Sequence, residues 1–98
     1  MEKRKVTSGK RKRSVAKATL VEGNGEVRIN GRDFKTLEIF NRLKVEEPLR
    51  IAENVLGKPN FNASIVVYGG GEKGQIEASR LALARGIVKF TGSKELDD

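Results

Sequence analysis

The chain has 98 residues, 20 of them Lys or Arg and 13 Asp or Glu, for a formal net charge of +7. It has no Cys, His or Trp, which excludes disulfide frameworks, zinc fingers, thiol chemistry and imidazole-based catalysis or metal binding. Its apolar runs fall far short of the ~20 residues of a membrane span, and no apolar stretch follows the charged start, so one small basic domain of a reducing compartment, without a secretory signal, is expected. Residues 1–17 hold eight basic residues (Lys3, Arg4, Lys5, Lys10, Arg11, Lys12, Arg13 and Lys17) against Glu2 alone, while residues 18–98 are electrically balanced. A short basic segment is the footprint of a polyanion binder, nucleic acid first. An acidic membrane surface calls for an amphipathic basic helix, and this segment offers only Val6 and Val15, so no membrane partner is expected. Thr7-Ser8-Gly9 interrupts the run, and residues 1–13 read as an extended, uncollapsed basic extension. A single domain over 14–90 and a short acidic tail over 91–98 follow.

From Ser14 the pattern changes. Val15, Lys17, Thr19 and Val21 alternate with Ala16, Ala18, Leu20 and Glu22, a period-two pattern of a strand. Gly23-Asn24-Gly25 is a turn signal, and Val27-Arg28-Ile29 reads as a second strand, so the two form a hairpin closed by a further turn at Asn30-Gly31. Asp33 suits a helix N-cap, with Phe34, Leu37, Phe40 and Leu43 near helical spacing behind it. Pro48 suits the first turn of a second short helix, with Leu49, Ala52, Val55 and Leu56 as its apolar stripe. Gly57 sits where a glycine cap belongs, and Pro59 forbids continuation. Ala63 to Tyr68 reads as a strand covered on both faces. After Gly69-Gly70-Gly71 a helix rich in small residues runs from Gly74 to about Arg85, ended by Gly86, and Ile87, Val88 and Phe90 form a final strand or a helical extension. The sum is an α+β, two-layer α/β sandwich with helices on one face of a mixed sheet.

A strand, a glycine cluster and a helix form a phosphate-binding geometry, because glycine admits close backbone approach and the helix N-terminus adds donors and partial positive charge. Gly69-Gly70-Gly71-Glu72-Lys73-Gly74 lacks the Gly-Lys-Ser/Thr of a P-loop. It matches G-x-G-x-x-G, but the chain leaves no room for the rest of a dinucleotide fold. A strand-to-helix turn that needs positive φ accounts for the same glycines, and phosphate contact stays open beside it.

The stretch Gly69-Gly70-Gly71, Gly74-Gln75, Ala78, Ala82 and Ala84-Arg85-Gly86-Ile87 resembles the signature of the ribosomal protein S-nine family of the small subunit over nineteen positions. Ser8-Gly9-Lys10-Arg11-Lys12, Ala16-Lys17-Ala18-Thr19 and Val27-Arg28-Ile29-Asn30-Gly31 resemble the opening of its archaeal and eukaryotic branch, and Glu47-Pro48-Leu49 fits its middle. The resemblance spans about Thr7 to Phe90. It implies a sandwich like domain two of ribosomal protein S-five, with a left-handed βαβ crossover against the right-handed rule. It also implies a non-catalytic structural constituent of the cytoplasmic ribosome that binds rRNA of the subunit head, with neighbouring head proteins as further partners and no cofactor or metal. Family members carry a longer, strongly basic C-terminal tail that reaches tRNA. This sequence has Leu96-Asp97-Asp98 instead, so the tRNA contact is not carried over.

On that resemblance, Lys10, Arg11, Lys12 and Arg13 are expected on rRNA phosphates, with solvated charges as the bland alternative. Lys17 and Arg28 extend the surface or serve solubility. Gly69, Gly70 and Gly71 admit the RNA backbone, with Lys73 and Gln75 supplying a charge and an amide. Arg80 and Arg85 add charge from the small-residue helix, unless Arg85 satisfies C-terminal carbonyls. Recognition is expected by shape and phosphate. The five aromatics, Phe34, Phe40, Phe61, Tyr68 and Phe90, read as core and offer no stacking platform. Two other functions compete: a nucleotide-binding small-molecule kinase fragment built on the glycine loop, and a generic extraribosomal nucleic-acid-binding module.

Overall fold

The computed structural model describes residues 4–57 and 60–92. Its elements in chain order are β1 (Arg4–Arg11), β2 (Ser14–Glu22), β3 (Val27–Ile29), β4 (Arg32–Asp33), a 3-10 turn (Phe34–Thr36), α1 (Ile39–Leu56), β5 (Phe61–Tyr68) and α2 (Glu72–Thr91). The strands form one sheet in the order β1-β2-β5-β3-β4. β3 and β5 run parallel and the other neighbours antiparallel, so the sheet is mixed. The parallel pair is joined through α1, as parallel neighbours require a long crossover.

Alternation decides which face the helices cover. Ala16, Ala18 and Leu20 of β2, Val27 and Ile29 of β3, and Phe61, Ala63, Ile65 and Val67 of β5 are buried on one side. They join Ile76, Ala78, Ala82, Leu83, Ile87 and Phe90 of α2 in one core. The rings of Phe61 and Phe90 meet edge to face with centroids 5.8 Å apart, a preferred aromatic geometry. Among the described residues no helix covers the other side of the sheet. This is the expected α+β two-layer sandwich. Among the described residues no helix is long and apolar enough to cross a membrane.

Several local expectations are corrected. Residues 4–11 are not a free extension: they pair with β2 along the whole strand, from Arg4 opposite Val21 to Arg11 opposite Ser14. The sheet ladder needs only backbone donors and acceptors, so the charge of the side chains does not prevent pairing. Gly9 is buried under α2, and a Cβ there would meet the Ala78 carbonyl and the Ala82 nitrogen at 2.7 Å. The Thr7 hydroxyl donates to the Ala82 carbonyl at 2.8 Å. The small residues of α2 thus bring the helix down onto β1.

The β2–β3 hairpin does not form either, because β5 lies between those strands. Gly23-Asn24-Gly25 instead carries the chain across the start of β5. Asn62 Oδ1 accepts from the backbone N–H groups of Asn24 and Glu26, both at 3.0 Å. The hairpins that do form are β1–β2, through Lys12-Arg13, and β3–β4, through the expected Asn30-Gly31 turn. Asn30 also clamps the parallel pair, accepting from the Val67 N–H at 2.9 Å and donating to the Val67 carbonyl at 3.1 Å.

Asp33 caps as expected, but it caps the 3-10 turn, accepting from the Lys35 N–H at 2.9 Å. The two short helices are one: Glu38 caps α1, which runs through Pro48 to the expected stop at Gly57. Pro48 is buried, and its packing offsets the single N–H bond that the ring removes. β5 is covered on one face only, and it leaves Val66 and Tyr68 exposed. Gly86 does not end α2, which continues as a helix to Thr91 with Gly92 in the left-handed region at φ 69°. Gly86 serves close packing instead, since a Cβ there would meet Leu20 Cδ1 at 2.6 Å. The side chain of Leu56, the stop at Pro59 and the tail from Ser93 lie outside the described residues.

Candidate nucleic-acid interface

The β1–β2 hairpin turns in only two residues, and such a turn demands positive φ. Lys12 adopts it, at φ 55°. A lysine in a conformation that glycine takes at no cost is local strain at a charged position. Lys10, Arg11, Lys12 and Arg13 are all exposed around this turn. The Arg11 guanidinium donates to the Lys10 carbonyl at 3.3 Å, and the four cations make no ion pair among the described residues.

The turn lies against the glycine loop. Ser14, fully buried, donates its hydroxyl to the Gly69 carbonyl at 2.9 Å. Gly69 and Gly70 sit at φ 79° and 63°, and a side chain on Gly69 would run into the Arg13 carbonyl. A Cβ on Gly74 would lie 2.8 Å from Ser14 Oγ, so the first turn of α2 abuts the same hairpin. The cationic turn, the glycine loop and the helix N-terminus therefore share one end of the molecule. Sequence reasoning missed Ser14, which fastens them. Its one signal is a small polar residue between the basic run and the strand's apolar alternation.

Gly71 is the N-cap of α2, extended, without a side-chain cap and with open space around its Cβ direction. The first N–H groups of a helix have no partner within the helix and suit an anion. Lys73 is exposed in this first turn, and Glu72 beside it offsets part of the positive field. The Gln75 side chain donates to the Gly69 carbonyl at 3.1 Å, so it braces the loop. Gly69→Ala should cost about 2 kcal/mol or more of stability in urea unfolding, from positive φ plus backbone collision. Gly71→Ala should cost less than about 1 kcal/mol, the loss of a glycine N-cap. Equal costs would show that the loop does not rest on Arg13.

The remaining expected site residues are scattered. Lys17 is exposed on the open face of the sheet, opposite Ser8 and Val66. Arg28 lies on the same face but is engaged: it donates to Glu26 through Nε at 2.9 Å and Nη2 at 2.6 Å. The hydrogen bond and charge of Glu26, with a smaller contribution from Asp33, raise its pKa further. Arg80 is turned to α1, where it donates to Glu47 at 2.5 Å. Arg85 donates to the Ser8 carbonyl at 3.1 Å, covering the edge of β1 and not the helix C-terminus. Lys89 does the same for the Val6 carbonyl at 3.4 Å. Cations laid along an edge strand discourage pairing with another chain.

The aromatic expectation also changes. Phe34, Phe61 and Phe90 are buried, but Phe40 is 71% and Tyr68 62% exposed. Strand alternation sends Tyr68 outward while Val67, beside it, enters the core.

Comparison with known proteins finds relatives over nearly the whole chain. Residues 9–98 match the family model described as ribosomal protein S9/S16. The chain is 43% identical over 93 residues to small ribosomal subunit protein uS9 of Saccharolobus solfataricus, covering 94% of this chain and 67% of that protein. It is 45% identical over 93 residues to the uS9 protein of Halobacterium salinarum, covering 94% and 70%. For the uS9 protein of Methanococcus vannielii the identity is 38% over 93 residues, covering 94% and 68%. A match over nearly the whole described sheet and both helices leaves one assignment, and the chain belongs to the ribosomal protein S9/S16 family.

Proposed function

We propose that the chain is a structural, non-catalytic constituent of the small ribosomal subunit that binds rRNA of the subunit head through phosphate and shape contacts. The relatives carry the name of a small-subunit protein. One observation carries the site: the unpaired cations of Lys10–Arg13 lie beside Gly69–Gly71 and the uncapped start of α2. Polyphosphate backbones are held by such combinations of mobile cations and fixed N–H donors. Lys73 belongs to this end and Lys17 to the adjoining sheet face. Arg28, Arg80 and Arg85 have protein partners and contribute charge at most. Ribosomes of the cytoplasm are the proposed location, with neighbouring head proteins as further partners. No tRNA contact is assigned to these residues.

Binding of the chain to a head rRNA fragment, compared with an unrelated structured RNA over a salt series, tests this reading. Affinity should fall linearly in log–log form with rising salt, while the preference for head RNA persists. Equal affinity for both RNAs would remove the ribosomal assignment of the site.

A further inference from the structure

Beyond Lys10 and Lys17, the open face of the sheet is not used by the phosphate site, and it carries an arrangement of its own. Its outward positions on β1 are Arg4, Val6, Ser8 and Lys10; on β2, Val15, Lys17, Thr19 and Val21; on β5, Asn62, Ser64, Val66 and Tyr68. These positions hold three cations and no acid. The acids near this face, Glu26 and Asp33, lie on the β3–β4 side, where Glu26 pairs with Arg28 and Asp33 accepts from the Lys35 N–H. Tyr68 ends β5, the central strand of the five-stranded sheet. The register puts Val15 directly beside it and Lys10 beyond Val15, in one row across the strands. Two strand spacings separate Lys10 from Tyr68, about 10 Å. In the next row Lys17 stands opposite Val66, which makes it the diagonal neighbour of Tyr68, about 7–8 Å away between backbones and within reach of a long side chain.

An exposed aromatic ring on a sheet, beside aliphatic side chains and with two cations on its β2 side, is a surface for a nucleic-acid base with its phosphate backbone laid over the cations. Tyr68 has 62% of its surface exposed and Val66 55%, so neither is held by the fold. We infer that Tyr68 stacks one unpaired RNA base, whose flanking phosphates are met by Lys10 and Lys17. The inference rests on the RNA-binding reading above and adds to it a contact to a base, where that reading has only phosphate and shape. Lys10 links the two surfaces, because it stands at the hairpin turn and in the row of Tyr68. The occupant is an unpaired base because a paired one has its faces covered by its own neighbours. It is RNA and not a protein segment because, among the described residues, the outward positions of β1, β2 and β5 around Tyr68 present cations without acids.

Tyr68 is the sole tyrosine of a chain without tryptophan, so the intrinsic emission above 300 nm reports on this ring alone. The experiment titrates residues 1–98 with a short oligo(rA), a blunt RNA hairpin and the head rRNA fragment. It reads tyrosine emission and, separately, binding by anisotropy of labelled RNA. Oligo(rA) should quench the emission and the blunt hairpin should not. Tyr68→Ala should weaken oligo(rA) binding roughly tenfold or more, with the salt slope unchanged because no charge is lost. Tyr68→Phe should bind within about twofold of the parent chain, since the ring is kept. Lys17→Gln should instead lower the salt slope by about 0.7. Far-ultraviolet circular dichroism checks that the exposed substitution leaves the fold intact.

Unquenched emission, or equal binding by Tyr68→Ala, while the head fragment still binds would overturn the inference and leave the phosphate site standing. The open face would then belong to a protein neighbour. Failure of oligo(rA) to bind while the head fragment binds would overturn it equally. Failure of every RNA to bind would overturn the RNA-binding reading itself, and this inference with it.

Discussion

Replacing Gly9 with Val should lower stability by about 2–3 kcal/mol, enough to move the melting temperature of a domain this size down by roughly 8–20 °C. A side chain at this position would drive into the backbone of α2 at Ala78 and Ala82, both at 2.7 Å. Backbone cannot rotate away as a side chain can, so the helix must lift from β1. That movement would loosen the Thr7–Ala82 hydrogen bond and the contact of Gly86 with Leu20. The control is Ser8→Val, one residue away on the exposed face. There the same β-branched side chain meets solvent and gains strand propensity, so stability should hold or rise slightly. Urea unfolding of both variants checks the pair. Equal tolerance at the two positions would mean that α2 does not lie on β1.

Neutralising Lys10, Arg11, Lys12 and Arg13 together with Gln should lower the salt slope of RNA binding by as much as three to four units, about 0.9 for each phosphate lost. At near-physiological salt that corresponds to roughly a hundred- to thousandfold weaker binding if all four meet phosphates. Stability should change little, because all four side chains are exposed and none pairs with an acid among the described residues. Removing residues 1–13 would be the wrong experiment. It takes out β1, an entire strand with its hydrogen bonds to β2 and its packing against α2, and lost binding would report unfolding. The charge-only variant separates the two roles. An unchanged slope with intact folding would return the turn to the status of solvated charge.

Both experiments depend on one fact about the N-terminal segment. Its composition is that of an unfolded tail, yet its backbone is a strand. The residues that decide this are the small ones. Gly9 permits α2 to approach, Thr7 supplies a hydroxyl to the helix, and Ser14 ties the turn to the glycine loop. The same segment thus provides both a structural edge and a cationic turn. Lys12 bears the conformational cost at φ 55°.

Much was determined by the sequence alone. Period-two alternation from Ser14 located β2, the small-residue helix was evident after three glycines, and Asn30-Gly31 and Gly57 marked a turn and a stop, because each of these signals is local. The nineteen positions from Gly69 to Ile87 identified the family. The absence of Cys and His removed whole classes of chemistry. Tertiary structure decided the rest. No local signal tells Gly23-Asn24-Gly25 whether to fold β3 back on β2 or carry it past β5. The outcome depends on β5, more than thirty residues later in sequence, whose backbone and Asn62 side chain bond the turn. Pro48 reads as a helix start because its missing N–H costs least there, yet burial outweighs that preference. Arg80 and Arg85 read as free cations until Glu47 and the Ser8 carbonyl are brought to them from other elements, whereas Arg28 pairs locally with Glu26, two residues before it. Tyr68 sits in a run that reads as buried on both faces. Only a sheet with helices on one side turns it outward, since burial is a property of the layers and not of the strand.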